Sequence, residues 1–269
     1  MDEILFVQVS DQHFRLRSSL ESGMSICLRT PALDCEECGV DYEGPSLPLL
    51  AQSLPDIRRS CREHGFEHEA VEAMSKAVDR GAFDNPLSPP EFLTLLEIIR
   101  EVACIDRRFP IRPRARIEPL LLTEKHLRRS TYAGGEDDDM ILVNRAAMAR
   151  LEGLTGLSFS PCVNPAGIGE TELWEVVVTG VATNLMTEKQ INEFWLEEYG
   201  LEDPDNDPVR CPLCQRLPER APLFSEQARI TEYTNVFRLK DFSGIYVDSE
   251  GLRVLGRVFP NDLAFWAIA

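Results

Sequence analysis

Four of the eight cysteines in this 269-residue chain fall into two close pairs, Cys35-Glu-Glu-Cys38 and Cys211-Pro-Leu-Cys214. A two-residue spacer lets both thiolates of a pair face one ion. Two such pairs supply a tetrahedral four-sulfur set for zinc, with Zn–S bonds of about 2.3 Å. Four thiolates leave no open coordination position, so the expected ion is structural and not catalytic, one Zn²⁺ per chain. Its ligands, Cys35, Cys38, Cys211 and Cys214, would clamp an early segment to a late one. Gly39 follows the first pair, where the chain must bend and glycine tolerates a positive φ. Gln215 follows the second, and Pro212 stiffens that turn by fixing φ.

Two rival readings of the pairs remain open, a thioredoxin-like redox couple and cysteines with no shared role. The redox reading suffers from Glu36 and Glu37, because neighbouring carboxylates raise a thiol pKa and oppose thiolate reactivity. Cys61, His64 and His68 also have a ligand-like C-x2-H-x3-H spacing. Gly65 interrupts the helix needed to align them, and a fourth ligand is missing, which favours a solvated helix end. Asp203, Asp205 and Asp207 resemble the start of a calcium loop, but Pro208 stands where the loop needs Gly and Cys214 where it needs Glu. The sequence contains no nucleophile elbow, phosphate loop, HExxH or kinase pattern, so no enzyme activity is expected.

The formal charge of −17, from 45 acidic and 28 basic residues, disfavours nucleic acid as a partner and favours a basic protein. Many acidic proteins owe their charge to solubility alone, and that reading stands beside the first. The opening "MDEILFVQVS" starts acidic and alternates like a strand, unlike a signal peptide, and no apolar run reaches the roughly 18 residues of a membrane span. A cytoplasmic chain with reduced thiols is expected.

The elements that must position the cysteines read as α+β, in one large domain over 1–269. Its possible sub-parts are 1–120, with the first knuckle and helices, and 121–269, with the second knuckle. Strands are expected over 3–9 and 24–30, followed by a helical region at about 56–104. Ser88, two prolines and Glu91 announce the last of those helices with a capping box, and Phe92, Leu95, Leu96 and Ile99 give it one apolar face. The basic stretch 105–118 is broken by proline and is expected to pair with the protein's own carboxylates. Two stretches, beginning at Ile141 and Ile245, share a strand ending at an N-cap residue (Asn144, Asp248), a short helix and a second strand, which predicts a repeated strand-helix-strand unit. Between them lie a strand, "LWEVVVTGVAT", and a helix opened by Thr187 with Gln190.

The early CxxCG with Tyr42 after it, the late CxxC, and the closing pattern of Phe237, Arg238, Phe242, Ile245 and Val247 together resemble the double-CxxCG family of myxobacterial paralogues. That family includes immunity proteins of the Sit swarmer-inhibition system. The likeness runs over nearly the whole chain at low identity, and Gln215 departs from the second CxxCG. It implies a cytoplasmic protein that binds and neutralises a cognate toxin, for which an acidic surface suits a basic, nuclease-like domain. A zinc-stabilised interaction or regulatory module without a toxin partner is the alternative.

Overall fold

The computed structural model describes residues 4–9, 50–65, 87–111, 122, 130–134, 140–163, 170–199, 211, 213, 229–242 and 244–268. Helices and antiparallel sheets both occur, as the α+β reading expected. The expected strand over 24–30 and the expected helix within 67–81 lie outside the described residues.

Near the start, a pair of helices forms a core of its own. Helix α1 (Leu50–Glu63) begins ahead of the start near residue 56 expected from sequence, and Pro55 sits inside it. Helix α2 (Pro89–Val102) opens as its sequence predicts: the Ser88 amide donates to Glu91 Oε2 at 2.9 Å and the Ser88 hydroxyl to the same oxygen at 2.5 Å. The apolar face of α2 packs Leu95 and Ile99 against Ile57 and Cys61 of α1, with Phe109 and Ile111 closing the cluster. Within the described part of the basic stretch, Arg108 pairs with Asp106 (2.8 Å) and Glu232 (3.3 Å), and Arg107 with Glu97 (3.5 Å). Arg108, bonded to Asp106, holds that carboxyl below its usual range. These are exposed pairs and contribute little to stability, but they fit the expectation that the stretch meets the chain's own acids.

Both expected repeat units are present. The first runs β2 (Thr131–Gly134), β3 (Met140–Asn144), α3 (Arg145–Leu151), β4 (Leu157–Val163) and β5 (Glu170–Val178). Strand β5 lies between β3 and β4 and is antiparallel to each, giving the order β2-β3-β5-β4. The second runs β8 (Val236–Phe237), β9 (Ile245–Val247), α5 (Ser249–Val258) and β10 (Leu263–Ala267). Its sheet has the matching order β8-β9-β1-β10, with β1 (Leu5–Val9) taking the place of β5. Strand β1 therefore completes a sheet whose other strands lie between Val236 and Ala267, across the 1–120 and 121–269 division.

Registers coincide as well as orders. Val143 stands opposite Thr131 and Trp174; Val247 stands opposite Val236 and Leu5. Asn144 caps α3 by accepting from the Ala147 amide, and Asp248 caps α5 by accepting from the Gly251 amide. Because strand side chains alternate between faces, one face of each sheet contributes to a common core with the two helices: Val143, Val176 and Leu151 meet Val247, Val7 and Leu255 in a single cluster. The opposite faces carry separate clusters, one around Tyr132 and Leu142 and one around Phe6, Phe237 and Tyr246.

A short hairpin of β6 (Thr183–Asn184) and β7 (Ile230–Thr231) and a helix α4 (Glu188–Tyr199) complete the described elements. Thr187 and Gln190 form the expected box at the start of α4: the Thr187 amide donates to Gln190 Oε1 at 2.9 Å and the Gln190 amide to Thr187 Oγ1 at 3.2 Å.

The units are interlocked by the loop that follows each helix. Thr155, after α3, donates its amide (3.0 Å) and hydroxyl (2.8 Å) to Asn235 Oδ1, and its hydroxyl accepts from the Asn235 amide at 3.0 Å. Asn235 Nδ2 then donates to Asp248 at 2.9 Å. Reciprocally, Asp262, after α5, accepts from the Thr131 hydroxyl at 2.7 Å in a buried contact. A Cβ on Gly156 or Gly180 would overlap the Val236 carbonyl oxygen, so the α3–β4 loop and the segment after β5 reach β8 only because these residues are glycine. Replacing Asn235 by Ala removes three side-chain hydrogen bonds, each worth about 1 kcal/mol net. Urea unfolding should show a loss of about 3 kcal/mol; an unchanged midpoint would mean that the junction does not hold the units together.

Candidate metal centre

Of the four cysteines expected to bind zinc, the structure describes Cys211; Cys35, Cys38 and Cys214 lie outside the described residues. Cys211 is buried (6% exposed) in the core of α1 and α2, in the same cluster as Ile57, Cys61 and Val181. Leu213, two residues on, is 52% exposed. The chain thus passes within three residues from an inward thiol to an outward apolar side chain.

An apolar setting decides what a thiol there can be. Burial pushes the Cys61 thiol up, which keeps its proton on sulfur and makes it a poor metal donor. Cys211 lies in the same apolar cluster. The thiol of Cys211 is a soft donor suited to zinc, and in the expected site Cys35, Cys38 and Cys214 would supply the other three sulfurs. Among the described residues no group of three or more His, Cys, Asp or Glu side chains could hold a metal.

The other spacing weighed for metal does not converge. Cys61 is fully buried, whereas His64 is exposed and holds the Ser60 carbonyl oxygen at 2.8 Å through Nδ1. His68 lies outside the described residues. The solvated helix end expected here is right for His64 but not for Cys61, whose side chain belongs to the core. Asp203, Asp205 and Asp207 are likewise outside the described residues.

Residues of the closing sequence pattern are all inward. Phe237, Arg238, Phe242, Ile245 and Val247 are buried, with Arg238 Nη1 donating to the Gly244 carbonyl at 3.3 Å. Asn235 and Thr155 carry no local sequence signal, since they meet across 80 residues. Ser130 holds the matching place, its carbonyl accepting from the Asn144 amide as that of Asn235 accepts from Asp248.

Among the described residues no helix is long and apolar enough to cross a membrane. Comparisons with protein-family models, with curated proteins and with solved structures found no match to this chain.

Purified protein is expected to carry about one zinc per chain by elemental analysis. Cys35→Ser or Cys211→Ser should lose the metal together with a large part of the stability, because metal binding and folding are linked. Cys61→Ala should keep it. A folded, metal-free wild-type chain would refute the four-sulfur assignment.

Proposed function

We propose that this chain is an immunity protein that binds and neutralises a cognate toxin, held together by a structural zinc at Cys35, Cys38, Cys211 and Cys214. The observation that carries the reading is where the sequence pattern goes. Its buried residues, Phe237, Arg238, Phe242, Ile245 and Val247, serve the scaffold, which leaves recognition to the exposed surface. A scaffold built from buried residues, with the exposed surface left to meet the partner, is what a protein that neutralises a toxin by binding requires.

The chain itself carries out no chemistry in this account. Inhibition needs an interface burying on the order of 1,600 Å² and a few well-packed anchors. The charge of −17 favours a basic partner, such as a nuclease-like domain, through steered association. The acidic stretch at Asp203, Asp205 and Asp207 precedes Cys211 closely in sequence, so a metal at Cys211 and Cys214 would tether the carboxylates that meet that partner.

Expression of the neighbouring gene product in a bacterial host should kill in the absence of this chain and not in its presence, and the two proteins should co-purify. A harmless neighbour, or killing despite this chain, would instead favour a zinc-stabilised interaction or regulatory module. Replacing Asp203, Asp205 and Asp207 together by Asn should weaken toxin capture and flatten its salt dependence; unchanged affinity would remove these carboxylates from the interface.

A further inference from the structure

We propose that the groove between β9 and β10 is a strand-binding site, and that β1 is its separable occupant rather than an integral part of the unit it completes. The two units have the same strand order, directions and registers, but they differ in how the central strand is supplied. In the first unit β5 follows β4 directly, across residues 164–169. In the second, none of the described residues within 229–268 fills the corresponding place. The filler comes from the opposite end of the sequence.

The groove selects its occupant in two ways. Its walls are the facing backbones of β9 and β10, which run parallel to each other and both pair antiparallel with the inserted strand: Leu5 with Val247 and Ala267, Phe6 with Tyr246 and Trp266, Val7 with Ile245 and Phe265. An extended segment of either face pattern could satisfy those hydrogen bonds. Side chains supply the discrimination, since Leu5 and Val7 enter the common core while Phe6 enters the opposite cluster. The Phe6 ring lies 5.7 Å from that of Tyr246, and Gly244, at φ +94°, leaves the space it fills, because a Cβ there would collide with the ring. The ligand chemistry is therefore an extended, uncharged segment with apolar side chains at three successive positions, the middle one aromatic.

Separability follows from the adjoining ends of the central strand β1 and the edge strand β10. Leu5 lies directly opposite Ala267, so the start of β1 and the end of β10 are neighbours across their ladder. A hairpin joining them would give the second unit the connectivity of the first, β8-β9-α5-β10-β1 against β2-β3-α3-β4-β5.

The test begins with the full chain lacking residues 1–11 and a synthetic peptide of those residues. The truncated chain should melt well below the parent, and the peptide should bind it in a saturable one-to-one manner that restores the parent melting temperature. A Phe6→Asp peptide should bind at least tenfold more weakly. Truncation without effect on melting, or equal binding of the two peptides, would overturn the proposal. Should the truncated chain prove insoluble, a circular permutant decides: residue 269 joined to residue 1 by a short Gly-Ser linker, with new ends between residues 11 and 12. Parent-like circular dichroism and melting support a groove indifferent to how its strand arrives, and an unfolded permutant refutes it.

Discussion

Asn235 is where the two units are made one. Its side-chain carbonyl receives the amide and hydroxyl of Thr155 from the loop after α3, its amide group reaches the cap of α5 at Asp248, and its own backbone oxygen receives the Asp248 amide. One residue thus fixes the start of α5, the path of the α3–β4 loop and the position of β8. Only a short carboxamide has the acceptor and the donor to do all of this. Gly156, Gly180 and Gly251 clear the space around Asn235 and Val236, since a Cβ on any of them would strike a carbonyl oxygen of one or the other. The polar junction and the absence of side chains around it depend on each other.

That junction makes sense of the packing. Two four-stranded sheets and two helices bury one shared cluster, so the helix-covered face of neither sheet has a core independent of the other unit. Small sheets with one helix are marginal alone, and merging their apolar faces is the economical solution. Supplying β1 from the far end of the sequence adds little entropic cost, because loop-closure entropy grows only as the logarithm of length, about 0.6 kcal/mol per doubling. The benefit is burial of Leu5, Phe6 and Val7, with side chains entering both faces of the sheet.

Much of this was legible in the sequence, and the reasons differ from element to element. Asn144, Asp248, Ser88 and Thr187 could be recognised because capping is local: the donor and acceptor lie within three residues. The repeat could be recognised because its cap residues and apolar spacing recur together. The placement of β1 was not legible, since an alternating strand carries no information about which two neighbours it will join. The role of Asn235 was hidden for the same reason, its partners Thr155 and Asp248 being distant in sequence. For the cysteines, the spacing speaks to ligand type, while the burial of Cys211 came from the fold alone.

The position of Cys211 also bears on how the helical pair relates to the rest. It sits in the α1–α2 core beside Val181, and Val181 pairs in parallel with Arg238, next to β8. In the proposed zinc site, ligands from near residue 35 would meet ligands at 211 and 214 on the border of that core. Two ties would then join early chain to late chain: β1 to the second sheet through backbone pairing and apolar burial, and the thiolates to one another through the ion. The first ends in the core of the repeat units, the second beside the helices. Losing the metal should therefore loosen the helical pair before the sheets, because Asn235 and the common core hold the sheets by contacts that involve no thiolate.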